Sequence, residues 1–221
     1  MGQFAEPGNP HLLIASTTGE TLGQNTMEET EIRKAIRDKY AVVAVNAAGH
    51  FAYPVGRESA ERLNYPAEAL RSIPSAVIDH FVGVGNPFSI GAPKKGWRVV
   101  DIGCGAGFDS LVAASFVGPE GRVIGVDMSP EMLAIARAGL AAASLPQVTF
   151  TEGRAEALPV ESGWADLVIS NGALNLAARK SAAFSEAARV LRPGGLFQAA
   201  DLILVEDLPE DLRNDQFAWS N

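Results

Sequence analysis

Thiols, histidines and clustered cations are scarce in this chain of 221 residues. The one cysteine, Cys104, rules out a disulfide within the chain and a zinc cluster built on cysteines. The three histidines, His11, His50 and His80, stand far apart without metal-ligand spacing, so no metal site is expected. With 18 Lys and Arg against 26 Asp and Glu, the formal net charge is −8. A surface that tracks phosphates needs clustered Lys and Arg, so neither nucleic acid nor an anionic membrane is an expected partner. No apolar run approaches the ~20 residues that span a bilayer, and the N-terminus lacks a basic stretch followed by a long apolar core. The expected location is cytoplasmic.

What is present is a globular composition, 47% apolar and 20% charged, long enough for one domain with a sizeable core and a modest appendage. Residues 1–26 are rich in Gly, Pro, Thr, Ser and Asn and read as a flexible arm. Residues 27–96 read as a helical cap. Ile32, Ala35, Ile36, Tyr40 and Val43 keep a helical period, Tyr53 to Glu58 reads as a loop, and Pro66 to Ser72 and Pro74 to Phe81 each open on a proline suited to a helix start. From 97 to 221 the pattern alternates strand and helix, the mark of a doubly wound, mostly parallel α/β sheet. Strands are expected near 97–102, 121–127, 148–152, 165–170 and 196–205, with helices over 108–117, from Ser129 to about Ala143, and 181–191.

The most informative stretch is Trp97-Arg-Val-Val-Asp-Ile-Gly-Cys-Gly-Ala-Gly107, a β-branched run that ends in an acid and then in alternating glycines. Gly103, Gly105 and Gly107 suit a sharp turn or a close approach of backbone to ligand. Asp101 can accept from a bound amine or from the loop's own N–H groups. A dinucleotide loop needs G-x-G-x-x-G, but the sixth position here is Phe108 and the spacing is G-x-G-x-G. A second short strand ends at Asp127, 20 residues beyond Gly107, where an acid can take both hydroxyls of a ribose. A tight turn without a ligand is the competing reading of the glycines, and a turn or cap role that of the acid.

The glycine pattern preceded by Asp101 resembles motif I of the class I S-adenosylmethionine-dependent methyltransferases. Val123-Ile-Gly-Val-Asp-Met-Ser-Pro-Glu-Met132, Ile169-Ser-Asn-Gly-Ala-Leu-Asn-Leu176 and Ala188-Arg-Val-Leu-Arg-Pro-Gly-Gly195 extend the likeness to the arsenite methyltransferase branch. The resemblance implies a Rossmann-like sheet ordered 3-2-1-4-5 and S-adenosylmethionine as cofactor. It assigns Gly103, Gly105, Gly107 and Asp101 to the methionine end, Asp127 to the ribose, Met128 and the Ala155 N–H to adenine, and Asn171 to the reacting methyl as the candidate catalytic residue. Tyr40, His50 and Tyr53 fall in the cap over that site. The fold's sixth and seventh strands have no counterpart, so the C-terminal strands are expected to be missing. Strand five would then be an apolar edge covered by 207–221, by the N-terminal arm or by a second copy in a homodimer.

Two departures bear on chemistry. Gly172 stands where arsenite methyltransferases carry a cysteine, and a further cysteine of that branch would fall after Trp219. As(III) is soft and needs thiolates. Arg154 stands where the class often has an acid that accepts from the adenine amino group, and arginine has no acceptor. The expected activity is methyl transfer to a small-molecule acceptor. The alternatives are a catalytically silent binder of S-adenosylmethionine, a truncated arsenite methyltransferase homologue and, less favoured by Phe108, a nicotinamide oxidoreductase.

Overall fold

The computed structural model describes residues 29–203; the arm expected at 1–26 and the stretch 207–221 lie outside the described residues. Five strands, β1 (Arg98–Ile102), β2 (Arg122–Asp127), β3 (Val148–Glu152), β4 (Ala165–Asn171) and β5 (Leu191–Ala200), form one sheet in the order β3-β2-β1-β4-β5. All four pairings are parallel. The chain winds outward from β1 in both directions, which leaves a crevice beyond the C-terminal ends of β1 and β4, where such sheets take their ligands.

Strand alternation decides which face each side chain serves. Val99, Val123, Phe150, Leu167 and Ile169 pack with Phe108 and Leu111 of α5 (Phe108–Val117) and Leu133 and Ala136 of α6 (Pro130–Ala143). Val100, Ile102, Val126 and Val168 pack on the opposite face with Ala183, Ala187 and Val190 of α7 (Lys180–Val190). Covering both faces explains the near-continuous apolar runs of β1 and β4. The start of α6 follows from Ser129-Pro130-Glu131: the Ser129 hydroxyl accepts from Met132 N at 3.2 Å, and Pro130 occupies the first turn.

Ahead of the sheet come α1 (Glu29–Val43), α2 (Gly56–Arg62), α3 (Ala67–Ser72) and α4 (Ser75–Ile78). In α1 the Arg33–Glu29 and Lys34–Asp38 pairs, each 2.7 Å, are one turn apart, while Ile32 and Ile36 are buried. The loop expected from Tyr53 to Glu58 ends sooner, because α2 starts at Gly56. No side chain caps it; Gly56 N donates to Phe81 O at 2.7 Å, Ala60 is fully buried and Glu58 pairs with Arg62 at 2.7 Å. Packing supplies what the local sequence does not announce.

Strand five also differs from its expected range, 196–205. β5 begins at Leu191, directly after α7, with Leu191 opposite Ala165 and Leu196 opposite Leu167. The four intervening residues bulge outward: Pro193 has no N–H to donate, and Arg192 swings back to pair with Asp166 at 2.5 Å. Pro-Gly-Gly is therefore a bulge inside the strand, not a stop before it. Leu196 (47% exposed) and Phe197 (37% exposed) leave this edge apolar, with Phe197 edge-on to Phe184 at 6.0 Å. Among the described residues no helix is long and apolar enough to cross a membrane.

Candidate functional site

Because Ile102 lies opposite Val126, β1 and β2 end level and their following loops meet. Gly103 N and Cys104 N both donate to Val126 O, at 2.8 and 3.0 Å, which folds the glycine loop across the end of β2. Two of the glycines are required by geometry. Gly103 has φ +73°, and a methyl there would run into the Ala173 methyl; Gly107 has φ +88°, and a methyl there would stand 2.5 Å from Phe150 Cζ.

The loop, the end of β2, the turn after β3, the end of β4 and one face of α1 enclose a cavity of about 820 Å³, mouth included. Gly103, Gly105, Asp127, Met128, Ala155 and Asn171 are all on its wall. Asp101 and Gly107 are not: Asp101 points to the α5 face and accepts from Ser110 Oγ at 2.7 Å, and Gly107 packs against Phe150. Tyr40 reaches the cavity from α1; Tyr53 donates to Val82 O at 3.2 Å outside it, and His50 is exposed. Among the described residues no group of three or more His, Cys, Asp or Glu could hold a metal ion.

Asp127 and Glu156 are the two acidic residues on this wall, and Asp127 sits at the glycine loop. Its Oδ2 accepts from Gly105 N and its Oδ1 from Ser129 N, each at 2.8 Å. Burial raises its pKa, and those N–H bonds oppose the shift. A carboxylate has about four lone-pair sites, so this one retains acceptor capacity toward the cavity. Tyr40 is held protonated, its phenol pushed up by burial and by the nearby Tyr53 and Asp127; burial pushes Tyr53 up to about 12.

Behind the wall lies a buried network that the sequence reading does not contain. Asp109 accepts from the Tyr65 hydroxyl at 2.6 Å and from Asn171 Nδ2 at 3.0 Å. Asn171 Nδ2 also donates to Gly85 O at 2.8 Å, while its Oδ1 accepts from Val84 N at 2.9 Å and Gly85 N at 3.1 Å. Every polar atom of Asn171 is thus engaged in tying the 83–85 segment to α5. Burial pushes Asp109 up to about 6, against the Tyr65 and Asn171 bonds; burial and the neighbouring Asp109 push Asp101 upward as well. An acid in the first turn of α5, directly after the glycine loop, was the available hint, but Tyr65 lies 44 residues away and only the fold joins them. Asp201 is another such residue: one oxygen accepts from Leu174 N and Asn175 N, both at 3.0 Å, and shapes the turn beside the cavity.

The turn after β3 carries Arg154 and Glu156. Ala157 N donates to Arg154 O at 3.0 Å, closing the turn. The Glu156 carboxylate is largely buried, 3.7 Å from the Arg33 guanidinium, and accepts from Arg179 N at 3.4 Å. Gly172 stands at the cavity wall. The single thiol does not: Cys104 is buried, and burial and the nearby Asp127 push its pKa well up.

Comparison with known proteins agrees with this architecture. The chain is 37% identical over 199 residues to an arsenite methyltransferase of Halobacterium salinarum, covering 84% of this chain and 51% of that protein. It is 28% identical over 198 residues to the arsenite methyltransferase of Mus musculus, covering 86% and 52%. The chain therefore spans about half the length of these curated relatives. Among solved structures, CrArsM, an arsenic(III) S-adenosylmethionine methyltransferase from Chlamydomonas reinhardtii, superposes with a TM-score of 0.55 at 36% identity, over 72% of this chain and 53% of that one. The family described as a methyltransferase domain matches residues 93–221, more than half of the chain and all of its sheet. This chain belongs to the methyltransferase-domain family, with the class I Rossmann-like fold.

Proposed function

We propose that the chain binds S-adenosylmethionine in the cavity at the C-terminal edge of the sheet and transfers its methyl group to a small-molecule acceptor. The observation that carries this reading is the meeting of Gly103, Gly105 and the Asp127 carboxylate on one cavity wall. The donor set fits the cofactor. Glycine backbone at 103–105 admits close approach of the methionine end, Asp127 has acceptor capacity for ribose hydroxyls, and Met128 and Ala155 offer apolar contact for a purine. When bound, the cofactor supplies an activated methyl on a sulfonium with a good leaving group, so the protein's work is positioning and water exclusion. Ile36, Tyr40 and Leu176 exclude water along the wall. Asn171 has its amide fully engaged and acts by fixing the 83–85 segment, not by moving a proton.

The acceptor is proposed to bind without arsenic–thiolate bonds from this stretch. Gly172 offers no thiol, and Cys104 is off the wall with its thiolate disfavoured. A silent binder is the second reading, favoured by the engaged Asn171 and by Arg154 on the wall. Calorimetric titration with S-adenosylmethionine, S-adenosylhomocysteine and NAD tests the site: binding of the first two and not the third is expected, and failure of both sinks the proposal. Labelled-methyl transfer to a panel of small acceptors, with arsenite plus free thiol as one arm, then separates enzyme from binder. A cytoplasmic location accords with the acidic composition, and a homodimer through the apolar β5 edge is supported by the exposure of Leu196 and Phe197. Sedimentation at several concentrations checks the latter, and a monomer throughout rejects it.

A further inference from the structure

The adenine end of the proposed site is lined by cations. Arg33, Arg37 and Arg154 stand on the cavity wall, and all three continue into an adjoining groove that also takes in Lys34. The guanidinium groups of Arg37 and Arg154 make no hydrogen bond or ion pair with other described residues. Arg33 keeps its Nε buried without a partner, although its terminal nitrogen pairs with Glu29. The carboxylates on the wall have other partners: Glu156 faces Arg33 and Arg179 N, and each Asp127 oxygen holds one loop N–H group, its remaining lone pairs being those assigned to the ribose. Asp38 and Glu152 line only the groove.

Arginine presents five donors and no acceptor. Adenine offers ring nitrogens to such donors, but its exocyclic amino group is itself a donor and finds no match. A purine with a 6-oxo group presents the paired O6 and N7 acceptors that a guanidinium reads bidentately. We infer that the base of the bound cofactor is read in this chain by guanidinium donors, Arg154 with Arg37, in place of a carboxylate acceptor, which relaxes selection for the adenine amino group over a 6-oxo purine. This rests on the cofactor reading above and names the residue that sets its base specificity.

The test compares binding of S-adenosylhomocysteine and S-inosylhomocysteine to the full chain by calorimetry. Inosyl and adenosyl compounds are expected to bind within about threefold of each other, where a site built to pair the amino group separates them far more widely. Arg154→Glu, at an exposed turn, restores an acceptor and is expected to shift the ratio about tenfold or more toward the adenosyl compound; Arg37→Ala is expected to weaken the inosyl compound more than the adenosyl one. A wild-type preference for adenosyl beyond about tenfold, or a ratio unmoved by Arg154→Glu, overturns the inference. Failure of both compounds to bind the wild type instead removes the cofactor reading on which it stands.

Discussion

Two carboxylates at the same edge of the sheet, Asp127 and Asp109, have opposite assignments. Asp127 accepts only backbone N–H groups from the loops beside it and keeps a face toward the cavity. Asp109, only 7% exposed, spends its oxygens on the Tyr65 hydroxyl and the Asn171 amide, both from distant parts of the chain. Local backbone partners leave an acid free to meet a ligand, whereas side-chain partners from the cap and from β4 make it a fastener. Asp101, 1% exposed and bonded to the neighbouring Ser110, is also turned away from the cavity.

The largest effect that would break this contrast belongs to Asp127. Replacing it with Ala removes the acceptor proposed for two ribose hydroxyls and should cost on the order of 2–4 kcal/mol of S-adenosylmethionine binding. Circular dichroism and the thermal transition should show the fold retained. Unchanged affinity would return Asp127 to the role of a loop brace. Tyr65→Phe probes the other member and should do the reverse. It deletes the hydroxyl whose one proton goes to Asp109 at 2.6 Å, leaving a buried carboxylate with less solvation. The expected loss is about 1–2 kcal/mol of folding stability by denaturant titration, with cofactor affinity altered less than by Asp127→Ala. A variant that loses binding but not stability would erase the distinction.

The contrast also marks how far the sequence could be read. α5 and β3 have their expected bounds, and the start of α6 sits at its Ser-Pro-Glu signal, because these elements are set by local patterning, capping and glycine. The sheet order is what the family resemblance implies, and the structure has it. Misplacements occur where packing outweighs local preference: α2 forms on burial of Ala60, and β5 absorbs Pro-Gly-Gly as a bulge because Leu191 already pairs with Ala165. At the site, residues one turn from the glycines were legible, while the link from Asn171 through Asp109 to Tyr65 spans up to 106 residues and leaves no periodic trace. Asn171 lies on the cavity wall with its amide bonded to Asp109 and to the 84–85 backbone, and in sequence an amide at a strand end looks the same whether it faces substrate or ties down backbone.

The smallest expected effect is the share of the pH dependence that belongs to Asp109. Asp109 moves from an ordinary value of 3.8 to about 6 on folding, with burial as the main cause. Between those values the folded chain holds more protons than the unfolded one, so this group's contribution to stability is present at low pH and is lost as pH rises through about 6. From pH 5 to pH 7 the loss should be about 1 kcal/mol. Asp166 and Glu186, whose pKa values their arginine partners lower, titrate below this window and leave the slope there nearly untouched. Asp101, Asp127 and Asp201 are raised and add to it with the same sign, so the comparison must be between wild type and Asp109→Asn. Denaturant titrations at pH 5, 6 and 7 should give a shallower slope in the variant, helped by relief of the charge that also raises Asp101. Parallel slopes would mean that Asp109 ionises as an exposed acid does, and the buried fastener would lose its physical basis.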